Sequence, residues 1–247
     1  MKCRNFFNLI HTIQIIAYKF IYKFQGHTNI IDYEESWKST NIPREQFKLV
    51  SKQLYEHSMG KIVPEFSVIL KHLNRSNIAN QACIVELGCS SGYYSEVIRS
   101  KFPYVKYVGL DYSEDFINFA KQLYFNENFV IANVKNLPLN GKKVDCLILG
   151  SILLHLADWR VDLQKFIYLG IPRIIVHRQP IVIDKATYFQ FKNAYKTKMF
   201  EWIINRDEII GFFKEGGYEL IYETSMSSEL IYESSQPITI TLSFSKL

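Results

Sequence analysis

A glycine-containing turn follows a buried apolar run at residues 83–92, CIVELGCSSG, and its residue types could hold a ligand. Gly88 allows the backbone to turn sharply and lets a ligand approach without a Cβ in the way, and Gly92 allows close contact where a helix begins. A pyrophosphate-binding loop reads G-x-G-x-x-G, but Ser90 occupies the position of the second glycine here. Glu86, two residues before Gly88, would repel a pyrophosphate and suit a positively charged ligand. The pattern therefore predicts a ligand at the carboxyl edge of a parallel sheet, and one other than a dinucleotide.

A second carboxylate ends the next apolar run. Asp111 closes the segment YVGLD, 23 residues after Gly88. A carboxylate at the tip of a strand can accept hydrogen bonds from both hydroxyls of a ribose. Because neighbouring parallel strands end at the same edge, we expect Asp111 and Glu86 to face the same ligand.

Four ordered motifs, VELGCSSG, LDYS, ANV and ILGS, resemble the signatures of class I S-adenosylmethionine-dependent methyltransferases. The departure is Ser90, which replaces the middle glycine of the family's loop. The resemblance implies a Rossmann-like fold, S-adenosylmethionine as the cofactor and methyl transfer as the activity. It also implies that Tyr112 flanks the adenine and that the carbonyl oxygen of Asn133 accepts from the adenine amino group. The implied cofactor-binding residues are Glu86, Gly88, Cys89, Ser90, Gly92, Asp111, Tyr112, Asn133, Val134, Gly150 and Ser151.

Two other interpretations fit parts of this pattern. Residues 88–92 also spell G-x-S-x-G, the nucleophile turn of α/β hydrolases, with Ser90 as the nucleophile. No H-G-G-G-type segment precedes it, and Asp111 would then have no role. The second alternative is a non-catalytic S-adenosylmethionine-binding subunit of regulatory or scaffold type. Ser90 and Asn133, which both depart from the commonest family pattern, leave that alternative open.

The candidates for acting on an acceptor follow the fourth and fifth apolar runs. His155 and His177 could each serve as the general base that an oxygen acceptor needs. Arg178 stands where it could bind an anionic acceptor, and Tyr94 could stack on a sugar ring. Each also has a structural alternative: a satisfied core histidine, a surface ion pair or core packing. No D/N/S-P-P-Y motif follows the fourth run, which argues against methylation of amino groups on nucleic-acid bases.

A narrower resemblance concerns the later part of the chain. The segments IVHRQP, TYFQFKN and FEWIINRDEI are similar to a bacterial methyltransferase family associated with surface-polysaccharide and lipopolysaccharide loci. The resemblance implies that the segment after the fifth strand, with Arg178 and Gln190, covers the acceptor pocket and that Asn205 begins the last long helix. The acceptor it implies is a small molecule or glycan, such as a sugar, nucleotide sugar or lipid-linked saccharide, methylated on oxygen.

The elements that position these residues alternate between strands and helices. This alternation predicts a parallel sheet covered on both faces, and the cleanly alternating end of the chain at 237–244 predicts a final antiparallel strand. Together with the resemblance, the pattern predicts an α/β fold with a Rossmann-like, seven-stranded, mostly parallel sheet. The predicted strands are 82–87, 105–110, 129–133, 144–150, 171–177, the segment GYELIYET and 237–244, and the predicted helices are 44–57, 64–74, 92–101, 114–124, 158–168 and 205–215.

Residues 1–43 are predicted to form an amphipathic helix and a linker before a catalytic domain at 44–247. Phenylalanine and isoleucine share one face of the helix and lysine lies opposite, and residues 1–31 contain no acidic side chain. The apolar stretch is shorter than the roughly 20 residues that span a bilayer. Residues 1–25 could therefore make a peripheral membrane contact or pack on protein.

The charge distribution and the cysteine content argue against several classes of partner and site. The formal charge is +5, and residues 1–62, with 9 Lys and Arg against 5 Asp and Glu, carry +4 of it. The body of the chain is close to neutral, which argues against a nucleic-acid partner. The four cysteines have neither a disulfide pattern nor metal-ligand spacing. We therefore expect no metal site and a cytoplasmic protein, either free or peripheral at the inner face of the membrane.

Overall fold

The structure is a computed structural model that describes residues 35–38, 41–125, 127–139, 141–226 and 236–247. These residues form six α-helices, nine β-strands and two short 3-10 helices. The helices are α1 (Ile42–Ser58), α2 (Pro64–Arg75), α3 (Tyr94–Lys101), α4 (Glu114–Leu123), α5 (Trp159–Tyr168) and α6 (Arg206–Glu215), and the 3-10 helices are Glu35–Lys38 and Leu153–His155. The strands are β1 (Cys83–Leu87), β2 (Lys106–Asp111), β3 (Asn128–Ile131), β4 (Cys146–Gly150), β5 (Arg173–Val182), β6 (Tyr188–Ala194), β7 (Thr197–Asn205), β8 (Tyr218–Ser225) and β9 (Ile238–Lys246).

Seven of the nine strands form the predicted sheet. Their order is β3-β2-β1-β4-β5-β9-β8, and β1 to β5 are parallel to one another. β9 runs antiparallel to both of its neighbours, as its alternating sequence predicts. The carboxyl ends of β1, β2 and β4 therefore meet at one edge, where the candidate cofactor residues are found.

The predicted strand count of seven was too low, because β6 and β7 form an additional antiparallel hairpin. β5 also continues to Val182, beyond the predicted end at residue 177, through a register shift between Val176 and Gln179. Its extension pairs with the end of β7 at Ile181 and Val182. The hairpin turn is Tyr195-Lys196, with φ of +52° and +62°. Two-residue hairpin turns with positive φ favour Asn-Gly, so this turn carries no sequence signal.

Helices cover both faces of the sheet, and successive residues of β1 point into two separate cores. Val85 and Leu87 belong to the core beneath α5 and α6, whereas Ile84 belongs to the core beneath α1, α2 and α3. Buried parallel strands need apolar residues on both faces, which explains the unbroken apolar run at this point of the sequence. The last helix begins as predicted, because Asn205 Oδ1 accepts from the Glu208 N–H at 3.0 Å.

The predicted amphipathic segment 1–25 lies outside the described residues. Among the helices of the described residues, none is long and apolar enough to cross a membrane. Trp37 falls within the predicted linker, yet its ring packs against Phe116, His155 and Tyr195. The end of the N-terminal segment thus contributes to the same region as the catalytic-domain residues.

Candidate functional site

The loop after β1 passes through three left-handed backbone conformations. φ is +77° at Gly88, +50° at Ser90 and +78° at Gly92. Glycine adopts such angles without strain, whereas a serine pays about 1–3 kcal/mol. Ser90 therefore keeps a conformation that favours glycine, and its N–H donates to Asp111 Oδ2 at 2.9 Å. Position 92 also requires glycine for steric reasons, because a Cβ on Gly92 would lie 2.5 Å from the Phe129 ring.

Glu86 is a fully buried carboxylic acid behind this loop. The Tyr107 hydroxyl donates to its Oε2. A Cβ at position 150 would lie 2.7 Å from Glu86 Oε1, so Gly150 leaves the room that this carboxyl occupies. Burial raises the pKa of Glu86 to about 8, and the Tyr107 hydrogen bond opposes that shift. Among the described residues no cation pairs with Glu86, so a positively charged ligand would supply the missing partner.

Asp111, the last residue of β2, is hydrogen-bonded to the loop after β1. Its Oδ1 accepts from the Ser113 N–H at 3.0 Å, while its Oδ2 accepts from Ser90. Burial raises the pKa of Asp111 to about 6, and these backbone hydrogen bonds act in the opposite direction. The Tyr112 N–H also bonds to this carboxylate, which with about four lone-pair sites can still accept from a further donor. Asp111 and Glu86 together fit a ligand that has a ribose and a positive charge, as S-adenosylmethionine does.

One cavity of about 410 Å³ joins the ends of β1, β2 and β4 to the β6–β7 hairpin. Gly92 packs beneath the loop instead of lining the wall. Asn133 Oδ1 accepts from the Lys135 N–H at 2.9 Å, which fixes its amide and leaves one lone pair on that oxygen. We name one end the cofactor half; the sequence-predicted residues that line it are Glu86, Gly88, Cys89, Ser90, Asp111, Tyr112, Asn133, Val134, Gly150 and Ser151.

The other end, the acceptor half, is defined by Trp37, Gln46, Tyr94, His155, Arg178, Lys192, Tyr195 and Glu201. His155 lies on its wall with the Trp37 ring 4.9 Å away between centroids. His155 Nδ1 donates to the Phe200 carbonyl at 2.9 Å, so the lone pair of the neutral ring is on Nε2. Burial lowers the pKa of His155 to about 4, and the Phe200 carbonyl and Glu201 oppose that shift. A neutral imidazole at physiological pH is thus held at the cavity.

His177 and Gln190 do not line the cavity. His177 is completely buried behind Tyr94, with Nε2 at 2.8 Å from the Tyr94 hydroxyl and Nδ1 at 3.0 Å from Thr241 Oγ1. Both ring nitrogens are occupied, so a direct base role, as the sequence suggested, has no geometry to support it here. Gln190 is exposed and donates from Nε2 to Glu201 Oε1 at 2.7 Å. It reaches the cavity only through Glu201.

Several wall residues were not found from the sequence. Gln46 Oε1 accepts from both the N–H and the hydroxyl of Ser91, at 3.3 and 2.7 Å, and the Tyr195 hydroxyl also bonds to Gln46. The sequence holds a weak indication that Gln46 is buried, because this polar residue lies on the same helical face as the buried Val50 and Leu54. Tyr195 and Glu201 had no signal, since they arrive on the unforeseen hairpin.

Comparison with known proteins supports the methyltransferase fold. The methyltransferase domain family matches residues 85–167. A tRNA (guanine-N(7)-)-methyltransferase of Clostridium perfringens (strain SM101 / Type A) is 25% identical over 150 residues, which cover 57% of this chain and 65% of that protein. The match therefore spans just under two thirds of the relative's length.

Solved structures share the fold at low identity. The magnesium protoporphyrin IX methyltransferase of Synechocystis PCC 6803, solved with bound S-adenosylmethionine, superposes with a TM-score of 0.60 at 13% identity. The superposition covers 90% of this chain and 99% of that one. The [4+2]-cyclase SpnF gives a TM-score of 0.58 at 11% identity, over 82% of this chain and 94% of SpnF. Residues 85–167 therefore match a methyltransferase domain, and the described chain has the class I methyltransferase fold, which holds S-adenosylmethionine in the Synechocystis structure.

Proposed function

We propose that this chain transfers a methyl group from S-adenosylmethionine to a hydroxyl oxygen of a small molecule or glycan. The acceptor class we favour is a sugar, carried as a nucleotide sugar or a lipid-linked saccharide in surface-polysaccharide biosynthesis. One observation carries the proposal. A neutral His155, with no described hydrogen-bond partner on Nε2, lies on the wall of the cavity that Glu86 and Asp111 also line.

The chemistry assigns one task to each group. The bound cofactor supplies an electrophilic methyl group on its sulfonium. A hydroxyl attacks well only when its proton leaves as the new bond forms, and a positioned base typically contributes about 10²–10⁴-fold. His155 Nε2 takes that proton, the acceptor oxygen gains the methyl group, and S-adenosylhomocysteine leaves. Glu201, buried on the same wall, favours the imidazolium that results.

Aromatic side chains support a ring-shaped, hydroxylated acceptor. Trp37 and Tyr195 lie with their ring centroids 5.9 Å apart at the acceptor half, and Trp37 also touches His155. Aromatic faces stack on the apolar faces of sugars while neighbouring polar groups bind the hydroxyls. Glu201, held by Gln190 and by Lys192 at 3.8 Å, is the carboxylate on this wall that could accept from a sugar hydroxyl.

The test is label transfer from methyl-labelled S-adenosylmethionine to a nucleotide-sugar pool, a lipid-linked saccharide fraction and tRNA. His155→Gln should lower transfer by roughly 10²–10⁴-fold while leaving the cofactor's Kd unchanged. His72→Gln is the matched control, because burial lowers the pKa of His72 to about 3, in the same direction as it lowers that of His155. His72 does not line the cavity and bonds instead to Ser243 and Thr224, so this variant should retain transfer.

Three outcomes would contradict the proposal or its assignment of the base. Label in tRNA but in neither saccharide fraction would indicate a tRNA acceptor, as the name of the Clostridium perfringens relative states for that protein. Tight cofactor binding with no label in any fraction would favour the non-catalytic alternative. Equal loss of transfer in the His155 and His72 variants would remove His155 as the base.

A further inference from the structure

Arg178 is placed at the acceptor half by an unusual stretch of backbone. It lies in the register shift of β5 between Val176 and Gln179, and its φ is +59°. A non-glycine residue in this conformation costs about 1–3 kcal/mol. The Arg178 N–H donates to Thr241 Oγ1 at 3.3 Å, which fixes the kink to β9. The strand therefore turns this side chain toward the cavity, which Arg178 lines.

The guanidinium of Arg178 forms no ion pair with any carboxylate in the part of the chain that the structure describes. Among the described residues, Arg99, Arg160 and Arg206 each pair with a glutamate, and Arg178 forms no such ion pair. Glu65 acts on Arg178 electrostatically without forming an ion pair with it. A partly buried guanidinium without a carboxylate is costly unless some other anion binds to it.

A hydrogen-bonded relay orients this guanidinium. The Tyr94 hydroxyl contacts Arg178 and also His177 Nε2, at 2.8 Å. His177 Nδ1 in turn lies 3.0 Å from Thr241 Oγ1. Burial holds the pKa of His177 well below its usual range, so the ring is neutral. With Nδ1–H donating to Thr241, Nε2 accepts from Tyr94, and the Tyr94 oxygen is left to accept from Arg178.

Around Arg178 the cavity is rich in hydroxyls. Tyr93 and Tyr195 both lie close enough to Arg178 for its charge to act on them. Both line the cavity with Arg178. Hydroxyl groups and a guanidinium are the donors that bind phosphate oxygens, and arginine does so with two parallel hydrogen bonds.

We infer that Arg178 is the anchor of a phosphate subsite, and that the acceptor is a phosphorylated saccharide such as a nucleotide sugar or a lipid-phosphate-linked sugar. This inference rests on the proposed function for the saccharide part, and on Arg178 alone for the anion. Tyr94 and His177 are positioning residues of the subsite. The arrangement gives the cavity one carboxylate-rich end for a cationic cofactor and one cationic end for an anionic acceptor.

The experiment measures anion binding without turnover, so a failure of methyl transfer leaves its result intact. The chain is loaded with S-adenosylhomocysteine and titrated calorimetrically with pyrophosphate, glucose 1-phosphate and the neutral methyl glucoside. We expect both anions to bind the unmodified chain, and Arg178→Met to weaken them by roughly tenfold or more. Binding of methyl glucoside should stay the same. No anion binding to the unmodified chain, or equal binding to Arg178→Met, would overturn the inference.

Two controls make the result specific. Arg160→Met removes a guanidinium that pairs with Glu208 and does not line the cavity, and should change pyrophosphate affinity by less than about twofold. A comparable loss in both variants would show general electrostatics instead of a subsite. If thermal melting shows that Arg178→Met does not fold, Arg178→Lys decides, since it keeps the charge but loses the paired hydrogen bonds. Unchanged pyrophosphate affinity in that variant would overturn the inference.

The carboxylate of the cofactor itself is the other anion that could reach Arg178. S-adenosylhomocysteine carries it, and 5′-methylthioadenosine does not. We expect Arg178→Met to leave the affinity ratio of these two ligands unchanged. If the variant weakens S-adenosylhomocysteine and leaves 5′-methylthioadenosine unaffected, Arg178 binds the cofactor and the acceptor subsite is excluded.

Discussion

The cofactor half and the acceptor half of the cavity differ in where their residues come from. The cofactor half is built from the ends of β1, β2 and β4 and from the loops that follow β1 to β4, which are neighbouring strands of one parallel sheet. The acceptor half combines Trp37 from before α1, Arg178 from the kink in β5, and Tyr195 from the hairpin. The cofactor half is thus formed by the parallel sheet itself, whereas the acceptor half depends on an N-terminal segment, a strand kink and an additional hairpin.

The two halves also differ in charge. Two buried carboxyl groups with raised pKa values, Glu86 and Asp111, lie at the cofactor half. The acceptor half holds a neutral His155 and the guanidinium of Arg178, which lines the cavity and forms no ion pair with a carboxylate of the described residues. A site with this polarity suits a cationic donor at one end and, as we propose, an anionic acceptor at the other. The predictions below test whether the halves can be disturbed separately.

The largest effect should come from Asp111→Ala, which belongs to the cofactor half. The change removes the acceptor of the Ser90 and Ser113 N–H groups and the expected partner of the ribose. We expect affinity for S-adenosylhomocysteine, measured by calorimetry, to fall by roughly 100-fold or more, because two or more hydrogen bonds to a charged group are lost.

Asp145→Ala is the matched control for that prediction. Asp145 Oδ2 accepts from the Cys83 N–H at 2.8 Å, just before β4 and at the opposite edge of the sheet. The substitution removes the same chemical group from the same sheet and should lower the melting temperature while leaving cofactor affinity nearly unchanged. Equal losses of affinity in both variants would mean that Asp111 acts through stability alone.

The sequence predicts the residues of the cofactor half better than those of the acceptor half. The loop and Asp111 were predicted because each stands at the end of an apolar run, and parallel sheets bring such ends together. β9 was predicted from its alternating pattern, which one exposed and one buried face produces. These features depend on local sequence or on a rule of topology.

The acceptor half did not follow from such rules. Nothing local to Tyr195 or Glu201 indicates that a hairpin with a Tyr-Lys turn will fold over the site. His177 and Arg178 are adjacent in sequence, yet one is sealed behind Tyr94 and the other faces the cavity. The kink in β5 decides that difference, and a kink held by Thr241 depends on a strand 63 residues away in the chain.

The next effect concerns the glycines of the cofactor loop. Gly92→Ala places a methyl group 2.5 Å from the Phe129 ring, in a residue with φ of +78°. We expect the free energy of unfolding, from urea denaturation, to fall by about 2–4 kcal/mol, with weaker cofactor binding. Gly60→Ala is the control, because Gly60 has φ of +77° with nothing within 4 Å of the added Cβ. Gly60→Ala should lower the free energy of unfolding by about 1 kcal/mol. Equal losses in Gly60→Ala and Gly92→Ala would exclude a steric contribution from the Phe129 ring.

A smaller effect is the dependence of cofactor binding on pH. We propose that the carboxylate forms of Glu86 and Asp111 bind the ligand, and their pKa values without it are about 8 and about 6. Below each value a proton must leave on binding, so affinity for S-adenosylhomocysteine should rise with pH between 5.5 and 8.5, by at most about tenfold per unit for each group. Glu86→Gln should remove the upper part of the slope. A flat profile in the unmodified chain would contradict the assignment.

The smallest effect should appear where the two halves meet, at Gln46. Its Oε1 accepts from Ser91 in the cofactor loop, and the Tyr195 hydroxyl at the hairpin turn bonds to the same side chain. Gln46→Leu and Tyr195→Phe should each weaken S-adenosylhomocysteine binding by about two- to fivefold, because each removes a neutral hydrogen bond next to the loop. The double variant should lose less than the product of the two, with a coupling of about 0.5–1 kcal/mol. Strictly multiplicative losses, measured by calorimetry on all four chains, would show that the hairpin and the cofactor loop are energetically independent and that the cavity is two sites sharing a wall.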